Sequence, residues 1–215
     1  MKMLKRWTLT VLILLFISPL QAEESIEDLV SMMSQKLGNY QVLNEAVIKG
    51  GLRVRLCQYC HGKDGNSVKD NIPNLAEQNP IYLLTQFEFF RTDKRKNKVM
   101  NELAKGLTAE ERVNIALYYA SQNVSYSKDS NINSGSYKQG KKVYNKICLN
   151  CHGARGKGQQ SLPRIAGQKN SFLTATLSNY KNNRGVRPDS PMLAIASSLT
   201  DADIKAVATY ISSLE

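Results

Sequence analysis

The chain has 215 residues, a formal net charge of +11, 42% hydrophobic residues, four Cys and only two His. This composition excludes a chain that is disordered throughout, fibrous or built of many membrane spans, and the length suits one large domain or two small ones. Because each His directly follows a Cys pair, no His remains for a catalytic triad or a multi-His metal site, and no Cys remains for a separate disulfide.

The N-terminus has the layout of a secretory signal peptide. Three basic residues precede an apolar run from 9 to 17, and the small residue Ala22 stands where a cut is expected. The alternative is an uncleaved membrane anchor, but the apolar run is shorter than the roughly 20 residues that span a bilayer. We therefore predict a signal peptide over residues 1–22 and export from the cytoplasm.

Residues 23–45 form an acidic extension with five acidic residues and one Lys. Apolar residues at helical spacing mark one stripe along it: Ile26, Leu29, Val30, Met33 and Leu37. The stripe predicts a helix that lies on the protein's own surface. A partner-docking arm is the alternative, and its acidic character disfavours anionic lipid.

The rest of the chain predicts helices only, so the predicted fold class is all-α. Thr108 and Thr200 each have an acidic residue three positions later, the capping-box spacing, followed by apolar residues at helical spacing. Further helices are predicted over 81–90 and 171–180 and before each Cys pair. The alternation expected of strands is absent.

The chain also repeats itself with a period near 90 residues. Residues 57–62, CQYCHG, recur as 148–153, CLNCHG, and residues 73–78, PNLAEQ, recur as 163–168, PRIAGQ. An internal repeat of this kind implies two similar domains that arose by duplication. The Ser- and Asn-rich stretch between the repeats favours turns and predicts a linker over 123–136.

Each repeat carries two Cys three positions apart followed at once by His, the pattern that covalent haem attachment requires. The thiols add to haem vinyl groups as thioethers, and the adjacent imidazole reaches the iron. The sequence therefore predicts two covalently bound haem c groups, each held by two Cys and one His: Cys57, Cys60 and His61 for the first, and Cys148, Cys151 and His152 for the second.

Three other uses of paired Cys fit this sequence less well than haem attachment. A thioredoxin-like redox pair expects a βαβ pattern, which is absent. A zinc site made of two Cys pairs expects roughly 15 to 20 residues between them rather than near 90. Two disulfides in an oxidising compartment would leave the His-Gly after each pair unexplained.

The second axial ligand of each iron cannot be a His of this chain, which points to Met. Met100 and Met192 lie at matching positions late in the two repeats, each just before a capped helix. A thioether ligand raises the reduction potential and fills the position that oxygen or peroxide would need, which favours an electron carrier over a haem enzyme. Packing in the core is the alternative for any single Met.

Two further features surround the predicted ligands. A ligating His normally donates its other ring N–H, and the C=O groups of Pro73 and Pro163 are the candidate acceptors, with ordinary turn prolines as the alternative. Residues 91–98, just before Met100, hold five basic residues and one acidic residue. This basic segment predicts a rim that steers an acidic partner, or else a solvated loop.

Taken together, these motifs resemble the dihaem cytochrome c4 family over about residues 46–215. The resemblance implies two tandem class I cytochrome c domains, 46–122 and 137–215, with axial pairs His61–Met100 and His152–Met192. One feature departs from the family pattern. The second domain keeps Gly140 and Tyr144 ahead of its motif, whereas the aligned positions of the first hold Lys49 and Arg53, so we expect a shifted helix crossing there.

The resemblance also implies a location and a role. The expected protein is a periplasmic electron carrier, not an enzyme, that takes electrons from a quinol-oxidising complex or dehydrogenase and delivers them to a terminal oxidase or reductase. Its expected partners are redox proteins with acidic docking surfaces, such as quinol–cytochrome c reductase and a terminal oxidase. Nucleic acid is not expected, and peripheral membrane association is compatible with the sequence.

A second function stays open on the sequence alone. The chain could be the dihaem cytochrome subunit of a periplasmic dehydrogenase, such as flavocytochrome c sulfide dehydrogenase. A dihaem peroxidase is disfavoured because it needs an open or switchable iron. A haem-based sensor is disfavoured because no output domain is present.

Overall fold

The computed structural model describes residues 24–126, 133–185, 187 and 189–215. The predicted signal peptide and the centre of the predicted linker lie outside these residues. Six helices form the first half: α1 Ile26–Leu37, α2 Tyr40–Arg53, α3 Gln58–His61, α4 Pro80–Arg91, α5 Lys98–Lys105 and α6 Ala109–Ala120. Five helices and one π-helical turn form the second half: α7 Ser134–Val143, the π turn Tyr144–Cys148, α8 Leu149–His152, α9 Asn170–Lys181, α10 Met192–Ser197 and α11 Asp201–Ser212.

The all-α prediction is confirmed. The described residues contain helices and a single isolated β-bridge, and none of their helices is long and apolar enough to cross a membrane. Both predicted capping boxes form, since the Thr108 and Thr200 side chains accept from the N–H groups of Glu111 and Asp203, at 3.2 and 3.0 Å. Each cap satisfies donors that would otherwise be left free at a helix start.

Each half has its own hydrophobic core. The first is built largely from α1, α2, α4 and α6, and the second largely from α7, α9 and α11, with no buried residue in common. In each half the helix before the Cys pair crosses the last helix, α2 against α6 and α7 against α11. Two separate cores are what a duplicated domain requires.

Helix α1, in the acidic extension, packs on the first half. Leu29 and Met33 are fully buried in the first core, whereas Leu37 is half-exposed. The helix begins with a capping box in which Ser25 accepts from the Asp28 N–H, and it contacts α2, α4 and α6. The amphipathic stripe therefore covers the protein's own core.

The helix crossing is not shifted in the first half, which corrects the expectation drawn from Lys49 and Arg53. A Cβ on Gly50 would overlap the Asn114 carbonyl and lie 2.8 Å from the Cβ of Tyr118. A Cβ on Gly140 would meet the corresponding groups of Ala206 and Tyr210, again 2.8 Å from the tyrosine Cβ. Gly50 is therefore the counterpart of Gly140, and both crossings bring backbone against backbone.

The π turn explains why an alignment of the two repeats on their Cys pairs placed Lys49, and not Gly50, opposite Gly140. Seven positions separate Gly50 from Cys57, but eight separate Gly140 from Cys148. The extra residue is taken up where the Leu149 N–H donates to the Tyr144 carbonyl, five residues back. A π turn accommodates one inserted residue without moving either end of the helix.

Replacing Gly50 with Ala is expected to destabilise the first half. The added methyl has no space at the crossing with α6, and overpacking of this kind costs about 1–3 kcal/mol or more. Thermal unfolding of the haem-loaded protein measures the effect. Gly38→Ala is the matched control, because a Cβ there makes only ordinary contacts at 3.6 Å; equal losses of stability in the two variants would contradict the close crossing.

Candidate haem sites

Each Cys-x-x-Cys-His motif forms a short helical turn. Cys57 is the N-cap of α3, and the His61 N–H donates to the Cys57 carbonyl at 2.9 Å. Cys148 is likewise the N-cap of α8, which ends at His152. Residues at positions i, i+3 and i+4 share one helix face, so both Cys and the His of each motif lie on the same side of the turn.

Both His rings are fixed by a prolyl carbonyl, as predicted. The Nδ1 atoms of His61 and His152 lie 2.9 and 3.0 Å from the carbonyl oxygens of Pro73 and Pro163. A carbonyl can only accept, so Nδ1 carries the proton and Nε2 keeps its lone pair for a metal. Burial lowers the pKa of both His, and it outweighs the prolyl hydrogen bond, which acts to raise the pKa. The lowered pKa favours the neutral imidazole that metal binding needs.

A glycine turn brings each Pro segment back to its His. The N–H groups of Leu75 and Ala76 donate to the Gly65 carbonyl at 2.7 and 3.2 Å, and residues 165 and 166 repeat both bonds to Gly156 at 2.7 and 3.0 Å. Gly65 has a φ of 85°, and a Cβ there would lie 2.8 Å from both the Ala76 nitrogen and the Tyr119 ring. The turn therefore depends on glycine.

No disulfide joins any of the four Cys, all of which lie among the described residues, and their surroundings favour haem attachment over the alternatives. Burial raises the pKa of the Cys57 thiol, and that of Cys148 to about 11. A thioredoxin-like pair needs the opposite, a lowered thiol pKa. In the described part of the chain no three His, Cys, Asp or Glu side chains meet as a metal site, which disfavours a shared zinc. A neutral thiol at Cys57 and at Cys148, each in one motif with an imidazole whose Nε2 is free, fits covalent haem.

The two predicted Met ligands occupy equivalent short helices. Met100 lies in the first turn of α5, where its N–H donates to the capping Asn97 side chain at 3.0 Å. Met192 is the first residue of α10, and its N–H lies 3.3 Å from the Ser190 hydroxyl. Both side chains are partly buried. These short helices were not predicted from the sequence, which indicated only the capped helices that follow them.

The basic segment before Met100 is only partly free for a partner. Arg91 pairs with Glu88 at 2.9 Å, and Arg95 donates to the Gln86 side chain at 2.8 Å while stacking over the Phe90 ring. Its three Lys side chains are exposed: Lys94, Lys96 and Lys98. The two Arg side chains of the segment are therefore held by contacts within the protein, whereas its Lys side chains extend into solvent.

A reciprocal set of hydrogen bonds, which was not predicted from the sequence, joins the two halves. The Gln78 side chain accepts from the Arg164 N–H at 2.7 Å and donates to the Arg164 carbonyl at 2.8 Å. The Gln168 side chain does the same with the N–H and carbonyl of Asn74, at 2.7 and 3.0 Å. All four residues are buried.

These bonds place the two candidate sites back to back. Asn74 directly follows Pro73, and Arg164 directly follows Pro163, so each bridge starts one residue from the carbonyl that fixes a His. The repeated Gln at the end of PNLAEQ and PRIAGQ was the available signal. It marked the duplication but not the contact, because pairing between repeats is not visible in either repeat alone.

Comparisons with known proteins agree with this geometry. A family model described as cytochrome c matches residues 137–215. Cytochrome c4 of Thiocapsa roseopersicina is 32% identical over 172 residues, which cover 74% of this chain and 87% of the relative. A thiosulfate dehydrogenase electron acceptor of Thiomonas intermedia is 27% identical over 166 residues, covering 72% of this chain and 76% of the relative.

A solved structure shows the same arrangement of the fold. Reduced recombinant cytochrome c4 from Pseudomonas stutzeri superposes with a TM-score of 0.70 at 28% identity, covering 77% of this chain and 97% of that one. The repeat thus corresponds to two tandem cytochrome c domains, and the cofactor is covalently bound haem c. With its duplicated motifs and its similarity to cytochrome c4 along most of its length, the chain belongs to the dihaem cytochrome c4 family.

Proposed function

We propose that this cytochrome is a periplasmic electron carrier between a quinol-oxidising complex or dehydrogenase and a terminal oxidase or reductase. One observation carries the proposal: two equivalent buried His rings, each fixed by a prolyl carbonyl and each next to a Cys pair. The bridges between the halves support it, because they hold the two sites in one fixed relation. Export is supported by the predicted signal peptide over residues 1–22.

Each site would hold its haem with the residues predicted from the motif. Cys57 and Cys60, and in the second half Cys148 and Cys151, would form the thioethers. The axial pairs would be His61–Met100 and His152–Met192. Bound haem supplies a one-electron iron couple.

The chain's own residues would orient the two imidazoles and keep small ligands away from the iron. Pro73 and Pro163 fix the imidazoles, which keeps each Nε2 in one direction. Met100 and Met192 would occupy the iron position that a small ligand needs, so we assign no substrate-converting residue and propose that the protein is not an enzyme. The two electron-carrying domains would extend over residues 46–122 and 137–215.

A redox titration with haem quantitation tests the proposal. We expect two haems per chain, low-spin iron in both oxidation states, a Met–iron charge-transfer band in the oxidised protein, and rapid reoxidation by a terminal oxidase. Replacing Met100 or Met192 with Leu should weaken the band and lower one reduction potential, because the thioether ligand is lost. One haem per chain, or a band unchanged in both variants, would refute the ligand assignment.

Within this proposal, a periplasmic dehydrogenase is the alternative electron donor to a quinol-oxidising complex. The similarity to a thiosulfate dehydrogenase electron acceptor favours it over a flavoprotein complex. Reduction of the purified cytochrome by thiosulfate dehydrogenase plus thiosulfate, at rates matching those with a quinol-oxidising complex, would establish the dehydrogenase as a donor. Stable co-purification with a flavoprotein would instead indicate a flavocytochrome subunit.

A further inference from the structure

The outer face of α2 carries a row of exposed apolar side chains that ends at the first Cys pair. Their exposed fractions are 55% for Ile48, 72% for Leu52, 60% for Leu56 and 80% for Tyr59. The row follows one nearly continuous helical path, because Val54 donates to the Gly50 carbonyl and Gln58 donates to the Val54 carbonyl. At spacings of four, four and three the side chains share a face, which we call the apolar stripe.

The fold itself does not require the apolar stripe. The two halves can be aligned through Gly50 and Gly140 and then through their Cys pairs. The alignment shows which residues the same fold has at these positions in the second half. The four equivalent positions there are mainly basic or polar: Lys138, Lys142, Ile147 and Asn150. Within one chain, the two copies of the element thus present different surfaces beside their Cys pairs.

The charges that border the apolar stripe are mostly neutralised by the chain. Lys49 pairs with Glu45 at 2.8 Å, and Arg53 pairs with Glu111 across the helix crossing. Arg55 is exposed and forms no ion pair with any described residue. Within the described part of the chain, this surface is therefore apolar and has Arg55 as an unpaired cation near its middle.

We propose that the apolar stripe docks a redox protein whose contact surface is apolar and carries a carboxylate opposite Arg55. Contiguous exposed apolar patches mark interaction sites. A membrane is the poorer occupant, because recognition of anionic lipid needs a cluster of about 4–8 basic residues. A second copy is also poorer, because a two-fold contact centred on the stripe would bring two Arg55 side chains together.

This inference rests on the proposed carrier function, and it assigns different partners to the two halves of the protein. Apart from the single pair at Arg55, contacts through the apolar stripe are apolar and depend little on ionic strength. The second half instead presents Lys138, Lys141 and Lys142, which are exposed and have no acidic partner among the described residues. Transfer through that half should fall steeply as salt screens the charges.

The test uses the holoprotein and washed membranes of the source organism. One assay follows its reduction by membranes supplied with decylubiquinol, and the other follows its oxidation by the same membranes in oxygen. The key variant is Leu52→Lys, which installs the residue that the second half has at this position. The control is Val42→Lys, which adds the same charge about 15 Å away along α2, on the side away from the Cys pair, and about 80° around the helix from Leu52.

Leu52→Lys should lower kcat/KM about tenfold in one assay and leave the other within about twofold. The affected reaction should be the one that varies least with salt in the wild type, and Val42→Lys should change neither. Lys142→Gln should weaken the other, salt-sensitive reaction.

The inference is overturned by loss of both reactions together, by no change in either, or by equal effects of the control. It is also overturned if Leu52→Lys abolishes self-association in sedimentation velocity, which would identify a second copy as occupant. Loss of binding to phosphatidylglycerol vesicles would identify a membrane and overturn it as well. A wild-type protein that reacts in neither assay would overturn the proposed carrier function and, with it, this inference; a reactive wild type with an unaffected Leu52→Lys variant would overturn the inference alone.

Discussion

A chain in which Cys57 and Cys60 are both replaced with Ala is expected to carry one covalent haem in place of two. Without thiols the first site has nothing to form thioethers with, while the second keeps both of its own. The second half should still fold, because its core shares no buried residue with the first. Its own His–Pro hydrogen bond is also independent of the first Cys pair.

Mass spectrometry of the intact chain measures the haem count directly. The mirror variant, with Cys148 and Cys151 replaced, should give the same count with the other haem retained. Asn150→Ala is the matched control, because this exposed side chain lies between the second Cys pair and makes no hydrogen bond in the described structure; it should keep both haems. Two haems in either double variant would show that the motif assignment is wrong, and none would show that the sites do not assemble independently.

Features set by nearby residues were predictable from the sequence. The capping boxes at Thr108 and Thr200 join residues three apart, and the same local chemistry acts in any fold. The Cys pairs and their His are adjacent in the chain, so their shared helix face follows from helical spacing. The prolyl acceptors were also found, because a ligating His needs an acceptor and each repeat offers one Pro at the same place.

Features that depend on pairing across the chain were harder to predict. The helix crossing was misjudged because alignment on the Cys pairs ignored one residue absorbed by the π turn before Cys148. Gly50 and Gly140 could have corrected it, since only a close crossing explains glycine in the middle of both helices. The helices that hold Met100 and Met192 are short, at eight and six residues, and carry too few turns for a periodic signal.

Replacing both Gln78 and Gln168 with Leu is expected to weaken the contact between the two halves, so that each half unfolds independently of the other. Each Gln side chain satisfies one N–H and one C=O of a buried segment in the opposite half. Leu has similar bulk but can neither donate nor accept, so the N–H and C=O groups of Asn74 and Arg164 would be buried without partners. Each group left unpaired costs about 1–3 kcal/mol, so the contact should open and let water reach these groups.

Differential scanning calorimetry of the holoprotein should then resolve two transitions where the wild type gives more nearly one. Electron exchange between the two haems, followed after flash photolysis, should slow because their relation is no longer fixed. Gln35→Leu is the matched control, since the Gln35 side chain is exposed on α1 and forms no hydrogen bond with any described residue. Because each single variant leaves one bridge intact, Gln78→Leu and Gln168→Leu should fall between the wild type and the double variant. Two transitions already present in the wild type, or exchange rates unchanged in the double variant, would mean that the four bonds do not couple the sites.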